Sequence, residues 1–162
     1  MIVVADASPL NYLIQLQCIG VLEQLYGRVL LPQAVMRELR DERAPAAVKE
    51  WSSTLPSWAE VGHLATSQDD SLRDFGAGER EAILLAQQKH ADLLLIDERR
   101  GEVEAKRRGI STTGTLGVLL AAGAMGLLDP RTALHRLLTE TNFRASAEIQ
   151  RRFLERCEDL KR

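Results

Sequence analysis

Short aliphatic runs alternate along this chain with stretches whose apolar residues recur at helical spacing. Ile2-Val3-Val4, Val29-Leu30-Leu31 and Leu93-Leu94-Leu95-Ile96 are unbroken apolar runs, the pattern of strands covered on both faces. Between the first two, SPLNYLIQLQ and GVLEQLYG carry helical spacing and end at Gly20 and Gly27, with Ser8 read as N-cap and Pro9 in the first turn. Pro32 opens a helix through QAVMRELRDE, APAAVKEWSS continues as another, and PSWAEVGHL (56 to 64) reads as a weaker strand or extended connection. TSQDDSLRDFGAG is polar and glycine-containing, hence a loop. EREAILLAQQKH then predicts a helix, ADLLLID a buried strand, ERRGEVEAKRRG a polar helix and ISTT a short strand. GTLGVLLAAGAMG is an apolar helix whose Gly117 and Gly123 allow close approach, and PRTALHRLLTE and ASAEIQRRFLERCEDL are two terminal helices.

Strands alternating with helices predict an α/β domain, a parallel sheet with helices on both faces, followed by a helical tail. In such sheets ligands bind beyond the carboxyl ends of the strands, and the acids fall there. Asp6 directly follows the first strand, and Asp97 repeats that placement after Leu93–Ile96. Glu79 opens a helix, and counting i+3, i+4 and i+7 from it meets Ala82, Ile83 and Ala86, an inward stripe. The same count from Glu81 meets Leu84 and Leu85 but then Gln88, so Glu79 is favoured and Glu81 is the alternative. Glu38, two turns into its helix, borders the apolar face beside Val35 and Leu39.

Four carboxylates gathered in one hollow would push up each other's pKa values unless cations bind among them. Hard oxygen ligands without His or Cys select Mg²⁺ or Mn²⁺. The three histidines, His63, His90 and His135, lie outside the acid motifs, which argues against histidine chemistry.

Composition adds bounds. The chain has 162 residues, 45% hydrophobic and 27% charged, enough for one domain with a true core. Aromatics are only 4%, so base-stacking platforms are not expected. Net charge is -2, and nucleic-acid binding would need local basic patches. Candidates are Arg99-Arg100, Lys106-Arg107-Arg108 and Arg151-Arg152. Cys18 and Cys157 have no zinc spacing. No apolar run spans a bilayer and no secretory signal is visible, so no membrane association and a cytoplasmic location are expected.

The blocks VVADASPLNYLIQL, LPQAVMREL, GAGEREAILLA and LLLIDERRGEVEAKRRGISTTGTLGVLL, in that order, resemble PIN-domain proteins. They are especially similar to a VapC-like prokaryotic branch with a D-x-S-P-L start, a G-E-x-E-A helix and a G-T-L-G-V-L segment. The resemblance covers residues 2 to 128, and divides the chain into a nuclease domain (1–128) and a helical extension (129–162) that packs on the domain or a partner. It implies a three-layer, Rossmann-like α/β/α fold whose acidic pocket binds Mg²⁺ or Mn²⁺ and cleaves RNA. It further implies a toxin of a type II toxin–antitoxin pair, silenced by a small antitoxin and acting as a homodimer. Matched by motif, Asp6, Glu38, Glu79 and Asp97 are the catalytic and metal-binding acids. Many relatives have aspartate where Glu79 stands, one methylene shorter. Ser8, Thr113 and Thr115 match pocket positions, and the sequence does not choose which threonine points in.

Arg99 and Arg100 are candidate RNA contacts, set against a solvated helix in which Arg100–Glu104 and Glu104–Arg108 stand four apart. The rival readings are a non-catalytic PIN-like RNA- or protein-binding module, a receiver-like domain and an aspartate phosphatase. A receiver needs adjacent acids after the first strand, and a phosphatase needs D-x-D where this chain has Asp6-Ala7-Ser8.

Overall fold

The computed structural model describes residues 1–66 and 68–161. Its sheet is built from β1 (Val3–Ala5), β2 (Val29–Pro32), β3 (Ala59–Gly62), β4 (Leu93–Leu95) and β5 (Thr112–Thr113). All neighbours pair in parallel, in the order β3-β2-β1-β4-β5. The aliphatic runs are therefore strands, and PSWAEVGHL supplies a four-residue one. The helices are α1 (Ala7–Gln15), α2 (Val21–Tyr26), α3 (Gln33–Leu39), α4 (Ala46–Ser53), α5 (Ala77–Gln88), α6 (Arg99–Arg107), α7 (Thr115–Ala124), α8 (Pro130–Glu140) and α9 (Ala147–Asp159). The polar stretch before α5 holds a single 3-10 turn at Asp70–Leu72; its Ser67 lies outside the described residues.

The period-two alternation of the strands sorts the core into two layers. Val3, Ala5, Val29, Leu31 and Leu95 face α1, α3, α7 and their neighbours. Val4, Leu94 and Ile96 face α5 and α6 through Ile83, Leu85 and Ala105. A parallel sheet covered on both faces is the three-layer α/β/α arrangement. Leu134, Leu137, Phe153 and Cys157, from α8 and α9, belong to the same core as Val3 and Leu31.

Two helix boundaries differ from expectation. Asp6, not Ser8, is the N-cap of α1, so Ser8 and Pro9 both lie in the first turn. At the other end α1 stops before Gly20. Gln17 takes a left-handed φ of 59°, and the Cys18 amide reaches back to the Leu13 carbonyl at 2.9–3.0 Å along with Gln17 to Ile14, a Schellman-type close that glycine usually makes.

The sheet order runs outward in opposite directions from β1 and β4. Their carboxyl ends therefore flank the topological switch point, where open α/β sheets form a crevice. Among the described residues no helix is long and apolar enough to cross a membrane.

The shared core predicts that α9 is not dispensable. Phe153→Ala removes a nearly fully buried ring and is expected to cost about 3–5 kcal/mol, lowering the melting temperature by roughly 10 °C or more. Thermal denaturation followed by circular dichroism checks this, and an unchanged midpoint would show that α9 packs only loosely.

Candidate active site: an acidic crevice at the switch point

Asp6 is carried out of β1 on a backbone still bound to the sheet, its amide donating to the Leu95 carbonyl at 2.9 Å. Its side chain is 4% exposed. Asp97 follows β4 on the adjacent strand and is held twice by α7: the Thr115 amide donates to Oδ1 at 2.7 Å and the Thr115 hydroxyl to Oδ2 at 2.8 Å. Thr115 is fully buried, so this clamp fixes the carboxylate's plane. Thr113 packs instead against Gly117, where a Cβ would collide with its hydroxyl. Of the two threonines, Thr115 is the one that meets an acid.

Glu38 and Glu79 come from α3 and α5, which meet at Gly78. A Cβ there would collide with Glu38 Oε1 and lie 3.3 Å from Asp6 Oδ1. Both oxygens thus crowd the one spot that a missing side chain leaves open. Glu79, one residue on, lies in the first turn of α5, where the helix dipole favours an anion. Its Oε2 is buried without a hydrogen-bond partner, in space that Gly101 of α6 leaves free: a Cβ on Gly101 would lie 3.1 Å from it.

Glu81 faces elsewhere. It accepts from the Ala34 amide at 3.0 Å and the Arg37 guanidinium at 3.5 Å, capping the start of α3. That bond braces α3 against α5, so Glu81 supports the placement of Glu38 and Glu79 from outside the hollow.

The electrostatics record the crowding. Burial pushes the Asp6 carboxyl up to about 7; the Ala7 amide opposes this, and the charges of Glu38, Glu79 and Asp97 add to it. Glu79 is also raised to about 7, by burial first, then by the Glu98 carboxylate and Glu38, with Arg100 pulling the other way. Burial raises Glu38 against the Gly78 amide, and raises Asp97 against the two Thr115 donors. Glu38 as a residue is exposed; its carboxylate is the part turned toward Gly78.

No three Asp, Glu, His or Cys side chains among the described residues close into one preformed cage for an ion. The donor set nonetheless fits a hard divalent cation: every ligand is a carboxylate oxygen, one of them orphaned, and Mg²⁺ is commonly held by one or two carboxylates with water and phosphate completing its shell.

Ser8 stands on the ridge between two hollows, one reaching Glu38 and the other reaching Asp97 and Glu98. Glu98 was not singled out by spacing, although a second carboxylate directly after a strand-end aspartate is a visible signal. Arg100 lies 4.9 Å above the Phe75 ring rather than pairing with Glu104. Glu104 instead takes Arg107 at 2.6 Å and Arg108 at 3.1 Å. Arg99 is exposed and, among the described residues, enters no ion pair.

The crowding predicts a pH dependence. Asp6 ordinarily titrates at 3.8 and in the fold at about 7. Between those values the folded state holds the extra proton, so stability is greatest below the window and falls as pH rises through it, by about 4 kcal/mol in total. In EDTA the melting temperature should therefore drop from pH 5 to pH 8. Asp6→Asn should flatten that slope and melt at least about 5 °C higher than wild type at pH 8. Parallel curves for the two proteins would refute the crowding.

No curated protein and no solved structure matches the chain. The PIN-domain family, whose members are generally nucleases using divalent metal ions, matches residues 2–159, a span that takes in α8 and α9 as well as the acidic crevice. The chain belongs to the PIN-domain family.

Proposed function

We propose that this PIN-domain protein is a Mg²⁺- or Mn²⁺-dependent endoribonuclease, with Asp6, Glu38, Glu79 and Asp97 as its metal-binding and catalytic acids. The observation that carries the reading is the meeting of acids from four separate elements at the switch point, with Asp6 under the charge of the other three. A stabilising network would have brought cations to these carboxylates. Here the nearest partners are backbone amides, a threonine and other acids, with Arg100 the one cation that acts on Glu79.

Each side chain then has a task. Asp6 and Glu38 would share one ion across the Gly78 gap, and Glu79 with its orphaned oxygen would complete the site from α5. Asp97, locked by Thr115, would present a fixed carboxylate from the neighbouring strand. A bound divalent ion supplies a water acidified enough to attack phosphorus and a positive charge for the developing phosphorane. Glu98, beside Asp97, lines the same hollow. Arg99, exposed and in no ion pair among the described residues, would meet a backbone phosphate.

The resemblance of the D-x-S-P-L, G-E-x-E-A and G-T-L-G-V-L blocks to the VapC-like branch supports a finer reading: the toxin of a type II toxin–antitoxin pair, cytoplasmic, homodimeric and held by a small antitoxin. The rival reading is a PIN-like module that binds RNA or protein without cutting.

Cleavage of a labelled RNA by wild type and Asp6→Asn, in Mg²⁺ and then in EDTA, separates the two. The wild type should cut only with Mg²⁺, and Asp6→Asn should fall to the EDTA background. Equal cleavage by both proteins would refute the assignment. Thr115→Val, which removes the hydroxyl bond to Asp97 Oδ2 but keeps the backbone amide bond to Oδ1, is expected to reduce the rate by about 10–100-fold, measured in the same assay; an unchanged rate would show that the hydroxyl's hold is only structural.

A further inference from the structure

The tail contributes a wall to the crevice. Between α8 and α9, residues 141 to 146 pass beside α1, and there the Tyr12 hydroxyl donates to Asn142 Oδ1 at 3.0 Å. The Phe143 ring meets Tyr12 edge-on at 5.1 Å. The segment is fastened at both ends. The Thr141 hydroxyl donates to the Leu137 carbonyl at 2.6 Å and accepts from the Phe143 amide at 3.1 Å. Gln150 donates to the Ala145 carbonyl at 2.9 Å, and Ser146 caps α9.

One side chain in this fastened segment has nothing to hold: Arg144. It is exposed and enters no ion pair among the described residues. Yet it lines a hollow of about 410 Å³ together with Ser8, Tyr12, Asp97, Glu98 and Phe143. An arginine beside acids that, among the described residues, makes no salt bridge is an available cation at the mouth of the site. Two of the other basic clusters are occupied, while Arg99, at the start of α6, enters no ion pair among the described residues. Arg151 and Arg152 pair within α9, and Lys106, Arg107 and Arg108 pair within α6. The hollow is also where a chain with 4% aromatics brings two of its rings together.

We propose that Arg144 is a positioning residue that grips a phosphate of the RNA strand next to the one being cut, with Tyr12 and Phe143 as the apolar flank for the adjoining base. The inference rests on the nuclease reading above and deepens it by placing the substrate's path across the tail. Charge accounts for the need. A polyanion entering past Asp97 and Glu98 is repelled, and a guanidinium carried on this fastened segment and lining the same hollow offsets that repulsion while holding phosphate in register. Aromatic flanks serve single-stranded bases, which expose their faces, so the expected substrate is single-stranded at this point.

The test compares wild type, Arg144→Ala and Arg144→Lys on a fluorescent single-stranded RNA oligonucleotide over a KCl series. Steady-state cleavage is read in Mg²⁺ and anisotropy binding in EDTA, with melting curves as the folding control. Arg144→Ala should raise KM and the binding Kd by about tenfold, leave kcat within about twofold, and make the log–log salt slope shallower by about one. Arg144→Lys should keep the wild-type slope. Unchanged KM, Kd and slope in Arg144→Ala would overturn the proposal, and so would a Lys variant that loses the slope as the Ala variant does. If wild type binds the RNA but does not cut it, the nuclease reading fails while the anisotropy arm still decides on Arg144. If wild type does not bind it, this proposal fails.

Discussion

Taking carboxylates out of water at one edge of the sheet is the constraint around which this molecule is arranged. Asp6 leaves β1 while its amide is still bonded to Leu95, so it cannot swing out to solvent without breaking the ladder. Asp97 is equally confined by Thr115. The parallel sheet thus forces two anions to the same edge, and α3 and α5 bring two more. Burying charge without a partner is among the most costly things a fold can do. The rest of the structure, with aliphatic layers on both faces of the sheet, supplies the stability that tolerates it.

The same arrangement explains which small residues matter. Gly78 leaves the gap into which Glu38 and Asp6 point, and Gly101 leaves the gap around Glu79 Oε2. Both are ordinary helical positions where a larger side chain would fold without backbone strain. Their absence of a Cβ is a feature of the hollow rather than of the chain's flexibility. Thr115 acts in the opposite sense, filling space so that Asp97 has one orientation.

Much of the fold was legible in the sequence because its driving patterns are local. Aliphatic runs such as Leu93–Ile96 announce buried strands without reference to anything distant, and so does the periodicity of α5. Asp6, Glu79 and Asp97 stood out for the same reason, each at a strand end or helix start, whereas Glu38, two turns into α3, did so only through the resemblance. What depends on tertiary contact was not. Nothing local to Glu81 says that it caps α3, and nothing local to Thr113 and Thr115 separates them. Gln17 closing α1 in a left-handed conformation overrides the plainer glycine signal at Gly20. Arg144 lies in a stretch with no strong periodicity, and its relation to the crevice arises only when α8 and α9 fold back over α1.

The cap that Glu81 places on the Ala34 amide has a consequence for assembly. Helix α3 has seven residues and no side-chain cap of its own, too short to persist alone. It relies on a carboxylate encoded nearly fifty positions later. During synthesis, then, β1 and β2 can emerge from the ribosome well before α3 is braced. Glu38 is held in register by α5, so the crevice cannot be complete before residue 81 has been made, nor before Asp97 has followed it.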